Sequence, residues 1–298
     1  MSRYINPYTD FGFKRLFGRE ANQDLLIDFL NTLLPKKHQI KTLKFRDPEH
    51  LGETPGSRRA VFDVFCEAKN GEQFIVEMQK EDQEFFKDRS LYYVAHPIRE
   101  QGQRGKNPKT KQVWNYELKP VYLIAILDFI YDKNDPNPVL IREVSLKDQH
   151  GKEFYEKLQL IYIQMPLFDL EESELVTRRD KWLYFLKHLP SLEHIPAIMK
   201  EKVFAKAFLT AEISAMSQAE RDRYDHEWND YLTYMATLET AEKKGKSIGQ
   251  AEGHAEGRAE GEIQKAIEIA RNMKMKGLDT SLIAELTGLL PGEIERLE

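Results

Sequence analysis

Over residues 60–67 and 73–80, apolar and polar side chains alternate with a period of two, the spacing at which a β-strand turns successive side chains to opposite faces. On the first run Ala60, Phe62, Val64 and Cys66 share one face, with Val61, Asp63, Phe65 and Glu67 on the other. On the second, Phe74, Val76 and Met78 oppose Gln73, Ile75, Glu77 and Gln79. The pattern predicts a hairpin with one face turned wholly to the core and a second face carrying the carboxylates. The turn decides whether those carboxylates meet. A two-residue Asn70-Gly71 turn pairs Lys69 with Glu72 and sends Asp63 and Glu77 to opposite sides. A three-residue loop, Lys69-Asn70-Gly71, with Gly71 in the left-handed bulge position, pairs Ala68 with Glu72 and sets Asp63 opposite Glu77. Only the second register places the apolar residues of both strands on one side, so the pattern selects the bulged turn.

Helical periodicity frames this hairpin. In residues 22–34, Leu25, Leu26, Phe29, Leu30 and Leu33 share a helix face, Asn22 is placed to cap the start, and Pro35 ends the run. Before it, residues 9–17 predict a short helix with Thr9 or Asp10 at its N-terminus and Phe13, Leu16 and Phe17 packed inward. A helix over 82–100 carries Phe85, Phe86, Arg89, Tyr92 and Tyr93, and a basic, glycine-containing loop follows over 101–112. The nearly continuous apolar run from Val121 to Leu127 is the signature of a central strand covered on both faces. Strands near 139–146 and 157–164 complete the set, and helices near 173–189, 196–215 and 218–239 follow. The predicted organisation is a core over 1–170, a helical extension over 171–240, and a C-terminal segment over 241–298.

That last segment changes character. Gly245, Gly249, Gly253, Gly257 and Gly261 recur every four residues among Ala and Glu. Five interior glycines cost a helix about 4–5 kcal/mol relative to alanine. Two readings stand side by side: a frayed linker, or a glycine face that lets another helix approach, as in self-association into a homo-oligomer. The end of the chain, with helices near 263–276 and 279–286, resembles a small helical hairpin.

The chain has 298 residues, 41% of them hydrophobic and 31% charged, which excludes wholesale disorder. Its formal net charge of −5 gives a nucleic-acid partner no global support, so such a partner needs a local basic surface. The lone cysteine, Cys66, sits among apolar strand residues and is expected to be buried. The N-terminal residues lack a signal-peptide pattern, and the longest apolar run is too short to span a bilayer. A cytoplasmic protein without membrane association is the expectation.

Two carboxylates opposed on adjacent strands repel unless something compensates, and a divalent cation does so. Mg²⁺ takes one or two carboxylates and keeps waters for substrate oxygens. On this chemistry Asp63 and Glu77 are metal ligands, with the Met78 carbonyl as a third. Gln79, on the same side, would orient the attacking water or a phosphate oxygen, while Asp10, Lys14 and Arg89 contribute from flanking helices. The competing reading is a solvated polar face with ordinary surface acids.

An Asp, a turn, and then Glu-x-Gln at the end of an apolar strand resembles the PD-(D/E)XK nuclease superfamily. The wider run is similar to its recombination-promoting nuclease and transposase branch: Asp10-Phe11-Gly12-Phe13-Lys14-Arg15-Leu16-Phe17-Gly18, Asp63, Ile75-Val76-Glu77-Met78-Gln79, Arg89, Tyr92-Tyr93, Val121 to Phe129 and the glycine-every-four tail. The resemblance implies an α/β fold, a restriction-endonuclease-like mixed sheet flanked by helices, with a helical C-terminal region. It implies an endonuclease that uses Mg²⁺ or Mn²⁺ to hydrolyse DNA in recombination or in mobile elements. By position, Asp63 and Glu77 match the metal-binding acids, Asp10 matches an acid of the first helix, and Gln79 stands where the family carries a catalytic lysine. Glutamine brings no positive charge, which makes Lys14 a candidate relocated lysine and Arg89 a candidate DNA contact. The same substitution and the acidic net charge favour the rival function, a catalytically weak nuclease fold serving as a DNA-binding or oligomerisation module.

Overall fold

The computed structural model describes residues 2–47, 49–50, 60–80, 84–104 and 116–297. The first two residues of the helix expected over 82–100, and residues 105–112 of the basic loop, lie outside the described residues. The chain divides into two compact units, Met1–Asn229 and Asp230–Glu298.

In the first unit, α1 (Asp10–Phe17) and α2 (Gln23–Asn31) lead into β1 (Leu43–Phe45), β2 (Glu49–His50), β3 (Ala60–Val61), β4 (Val64–Ala68) and β5 (Gln73–Gln79). Then come α3 (Phe86–Arg104), β6 (Val121–Leu127), β7 (Ile141–Lys147), β8 (Glu153–Gln164), α4 (Arg178–His188) and α5 (Lys202–Ala211). The first turns of α6 (Gln218–Met275) close the unit. Six strands form one mixed sheet in the order β1-β4-β5-β6-β8-β7, and β2 and β3 form a separate ribbon. β5, β6 and β8 run parallel, while β1, β4 and β7 pair antiparallel with their neighbours. With helices on both faces, this is the mixed α/β architecture expected.

The β4–β5 register sets Val64 opposite Val76 and Cys66 opposite Phe74, and the Ala68 N–H donates to the Glu72 carbonyl at 2.8 Å. That is the register of the three-residue turn, and Gly71 holds its left-handed position at φ +88°, a conformation that costs glycine no Cβ clash. β6 is buried along its whole length, as its unbroken apolar run predicts.

One expectation about the hairpin fails, and so does the competing reading of its polar face. The first strand is broken: β3 pairs with β2, and the main ladder starts only at Val64. The carboxylate face is also not a solvated one, because every residue of β5 is buried. Val64, Cys66, Phe74, Val76 and Met78 join the larger core with α1, α2, α4 and α5. Phe65 and Ile75, on the carboxylate face, join a second core with Val94 of α3. Phe62 belongs to that second core rather than the first, because the chain leaves the ladder between Val61 and Val64 and the alternation is lost there.

The N-terminal elements are tied to the sheet by aromatic packing. Trp182 of α4 is wholly buried, with Phe17, Phe29 and Phe204 rings 5.7, 6.0 and 4.9 Å from its own. Asn22 does not cap α2. Its side chain instead donates to the Arg15 carbonyl at 2.8 Å, holding the end of α1 against the start of α2.

In the second unit the expected break after residue 239 does not occur, since α6 runs unbroken through all five glycines to Met275. The residues between those glycines are mostly Ala, Glu, Lys, Gln and Arg, strong helix formers, and cooperative propagation spreads the glycine cost over 58 residues. Open space surrounds each of the five glycines. Beyond it, α7 (Thr280–Thr287) and α8 (Pro291–Glu295) fold back so that Ile283 and Ile294 bury Ala270. The Asp279 carboxylate caps α7 through the Ser281 N–H at 2.9 Å, and Gly288 at φ +72° ends it. Among the described residues, no helix is long and apolar enough to cross a membrane.

Candidate active site

The break in the first strand is what builds the site. In a continued ladder Phe62 would pair with Met78. Instead the Asp63 carboxylate accepts the Met78 N–H at 2.7 Å, and the Asp63 N–H donates to Glu77 Oε1 at 3.2 Å. Side-chain oxygens thus replace the missing ladder partner, and the two acids are joined through each other's strands. The N–H and C=O of one strand residue point to the same edge, so the Met78 carbonyl is directed to Asp63's side of β5. All this lies at the C-terminal end of β5, where strands β5 and β6 run parallel, the end at which open α/β sheets take their ligands.

Asp10, the first residue of α1, borders the same place. The Thr9 hydroxyl caps α1 by accepting from the Gly12 N–H at 3.0 Å and itself donates to the Asn6 carbonyl at 2.9 Å. Gly12 is required here: a Cβ would stand 2.2 Å from the Asn6 carbonyl oxygen. This fold-back brings Asp10 and Asp63 to the wall of one cavity of about 260 Å³, which Met78, Gln79, Lys80 and Arg89 also line.

The acids are electrostatically loaded. Glu77 is 2% exposed, and burial first, then the neighbouring Asp63 charge, holds its carboxyl well above the usual range. Burial also raises Asp63, and Asp10 adds to the rise, while the Met78 N–H and the charges of Lys14 and Arg89 oppose it. Two carboxyls that resist joint ionisation are what a bound cation relieves. The available donors are all hard oxygens: the Asp63 and Glu77 carboxylates and the Met78 carbonyl, which suits Mg²⁺ or Mn²⁺. Among the described residues no group of three or more His, Cys, Asp or Glu side chains gathers as a metal site.

The other residues singled out from the sequence take distinct places. The Gln79 amide donates to Glu77 Oε2 at 3.0 Å, fixing that carboxylate. Lys14 is drawn to Asp10 at 2.7 Å, one helical turn back. Arg89 enters from α3 with its Nη2 3.9 Å from Glu77 Oε2. Its Nε donates to the Tyr93 hydroxyl at 2.9 Å and its guanidinium lies 5.0 Å from the Tyr93 ring centroid. Arg89 thus faces the acids rather than lying on an outer surface. The hydroxyl of Tyr93, one helical turn along α3, is the feature that aims Arg89. Burial, with the Glu77 charge next, raises the Tyr93 hydroxyl and keeps it protonated.

α6 also reaches the site, which nothing in the sequence pattern indicates. Glu227 Oε2 accepts the Phe11 N–H at 2.6 Å, at the positive end of α1, and Arg223 Nη2 lies 3.8 Å from Asp10 Oδ2.

A mixed six-stranded sheet with helices on both faces is an α/β fold of the PD-(D/E)XK kind. A family model described as PD-(D/E)XK nuclease family transposase matches residues 7–241, and the chain belongs to that family. No curated protein and no solved structure matches it.

Proposed function

We propose that the protein is a metal-dependent endonuclease that hydrolyses DNA phosphodiester bonds in recombination or in the movement of mobile elements. The observation that carries this reading is the pairing of half-buried Asp63 with buried Glu77, joined side by side at the C-terminal end of a parallel strand. Asp63, Glu77 and the Met78 carbonyl would hold Mg²⁺ or Mn²⁺. Bound there, the ion supplies charge neutralisation at the phosphate and a more acidic water. Gln79 keeps Glu77 Oε2 in place through its amide N–H and lines the cavity where the attacking water sits. Arg89, held by Tyr93, supplies the positive charge that Gln79 does not, from α3 instead of β5. Asp10 adds a further acid at the cavity wall, and Lys14 balances its charge.

The test is plasmid cleavage by the purified chain with Mg²⁺, Mn²⁺ or chelator, beside Asp63→Ala and Glu77→Ala. Nicking or linearisation that needs the metal and is absent from both variants is expected. Cleavage retained equally by the variants would remove Asp63 and Glu77 from the reaction. Intact DNA binding without cleavage under either metal would assign the chain to the binding-module reading.

A further inference from the structure

We propose that Arg223, on the first turns of α6, is a DNA-backbone contact that completes the substrate cleft from the side of α1. The inference rests on the reading of the substrate as DNA, and names a further residue of the same site.

The ion pairs between α1 and α6 are of two kinds. Arg15 is a structural partner: its side chain is 8% exposed, it meets Glu220 at 2.6 Å, and its Nε donates to the Thr210 carbonyl at 2.8 Å. Arg223 has neither property. Its side chain is 61% exposed and stands 3.8 Å from Asp10, and its closer contact is the exposed i,i+4 pair with Glu227 at 3.1 Å. Its guanidinium also lies 5.8 Å from the Phe11 ring centroid, but partly exposed ion pairs and cation–π contacts each add little to folding, so they give a cation at this position only a small share of the stability. Other contacts already fasten α6 there. Tyr224 is buried and its hydroxyl accepts the Asn6 N–H at 2.9 Å, Glu220 takes both Arg15 and Arg19, and Glu227 takes the Phe11 N–H. This part of the helix is firmly placed, with Arg223 projecting from it toward solvent.

What Arg223 flanks is the cleft. Lys14 and Arg223 approach the two oxygens of the Asp10 carboxylate, Oδ1 and Oδ2 respectively, and Asp10 lines the cavity that holds Asp63. A lysine and an arginine thus converge at the rim of the cavity, and such cations are the side chains that meet backbone phosphates. The chain as a whole carries a net charge of −5, so its DNA affinity has to come from such local cations. Lys14 and Arg223 on one wall and Lys80 and Arg89 on the cavity lining itself provide them. The family match extends to residue 241 and so includes Arg223, far from the acidic motif in sequence.

The test measures binding of the full-length chain to a fluorescent DNA duplex in chelator, so that no cleavage intervenes, across a salt series. Arg223→Gln is expected to weaken binding by about tenfold at low salt and to reduce the slope of log affinity against log salt by about 0.9, the loss of one phosphate contact. Arg223→Lys keeps the slope. Glu227→Gln retains an acceptor for the Phe11 N–H but removes the charge that holds Arg223 back, and is expected to bind several-fold more tightly. An unchanged slope in folded Arg223→Gln, or unchanged or weaker binding by Glu227→Gln, would overturn the proposal. Because binding is read without catalysis, a chain that fails to cut plasmid yet shows these shifts would retain Arg223 as a DNA contact while losing the nuclease reading. A chain that cuts plasmid with no such shifts would do the reverse.

Discussion

Replacing Glu77 with glutamine is expected to make the metal-free protein more stable while abolishing DNA cleavage. The carboxyl of Glu77 is held well above its ordinary value of 4.5, by burial first and by Asp63 second. A carboxyl whose folded pKa lies above its unfolded one contributes stability that is full below the unfolded value and is lost as pH rises through the folded value. The wild-type protein without metal therefore loses stability as pH climbs above about 4.5 toward neutrality, as the pair is forced to ionise in a buried place. Glutamine has no proton to lose, its oxygen can still accept the Asp63 N–H that now bonds Glu77 Oε1 at 3.2 Å, and its amide N–H can donate to Gln79 once the Gln79 amide turns over. Relief of strain of this kind at a functional site is worth about 0.5–2 kcal/mol, or roughly 1–8 °C in a unit of this size. Thermal melts of both proteins in chelator should therefore diverge with rising pH and converge near pH 4. Cleavage should fall about 10³-fold or more in the same variant, since several kcal/mol of metal-borne charge stabilisation is lost. A wild type that melts above the variant at pH 7.5 in chelator would show that the pair is not electrostatically loaded.

Arg89→Met is expected to have the opposite effect on stability and a large effect on rate. Arg89 lowers the tendency of both acids to keep their protons and stands 3.9 Å from Glu77 Oε2. Removing it leaves buried Glu77 and half-buried Asp63 without that cation, at a cost of about 1–3 kcal/mol. If Arg89 carries the charge that a lysine at position 79 would bring, kcat falls about 10²-fold with a smaller change in KM. Arg89→Lys should recover part of kcat, and Tyr93→Phe, which removes the hydroxyl accepting from Arg89 Nε, should lose several-fold. The two stability effects should not add: combining Arg89→Met with Glu77→Gln removes the charge that needed compensation, so the double variant should be nearly as stable as Glu77→Gln alone. A kcat unchanged in Arg89→Met, measured with saturating duplex, would mean that Arg89 only balances Glu77.

The two variants also mark what the sequence made legible. The period-two alternation and the demand for one apolar face were enough to choose the Gly71 turn, and that register, with the break before Val64, brings Asp63 to Glu77. The unbroken apolar run of β6 announced a strand covered on both faces. The burial of the acids was less visible, although Phe65 and Ile75, apolar residues on the supposedly polar face, are what α3 covers. The break at Phe62–Asp63 left no trace, because a residue that leaves a ladder keeps the same composition as one that stays. Arg223 and Glu227 could not be placed, since their partners lie more than 200 residues away and depend on how α6 docks against α1. Of the two readings of the tail only the frayed one fails, because the helix formers between the glycines carry a 58-residue helix through them, while open space surrounds each glycine as the other reading requires.

Calorimetric titration of Mn²⁺ into the chelator-stripped chain asks whether the Asp63–Glu77 pair holds a divalent metal. One ion per chain is predicted, bound with release of protons from the acid pair, tighter at pH 8 than at pH 6, and weakened at least about 100-fold in Glu77→Gln. Equal Mn²⁺ affinity in the wild type and in Glu77→Gln, or no binding by the wild type, would contradict the account.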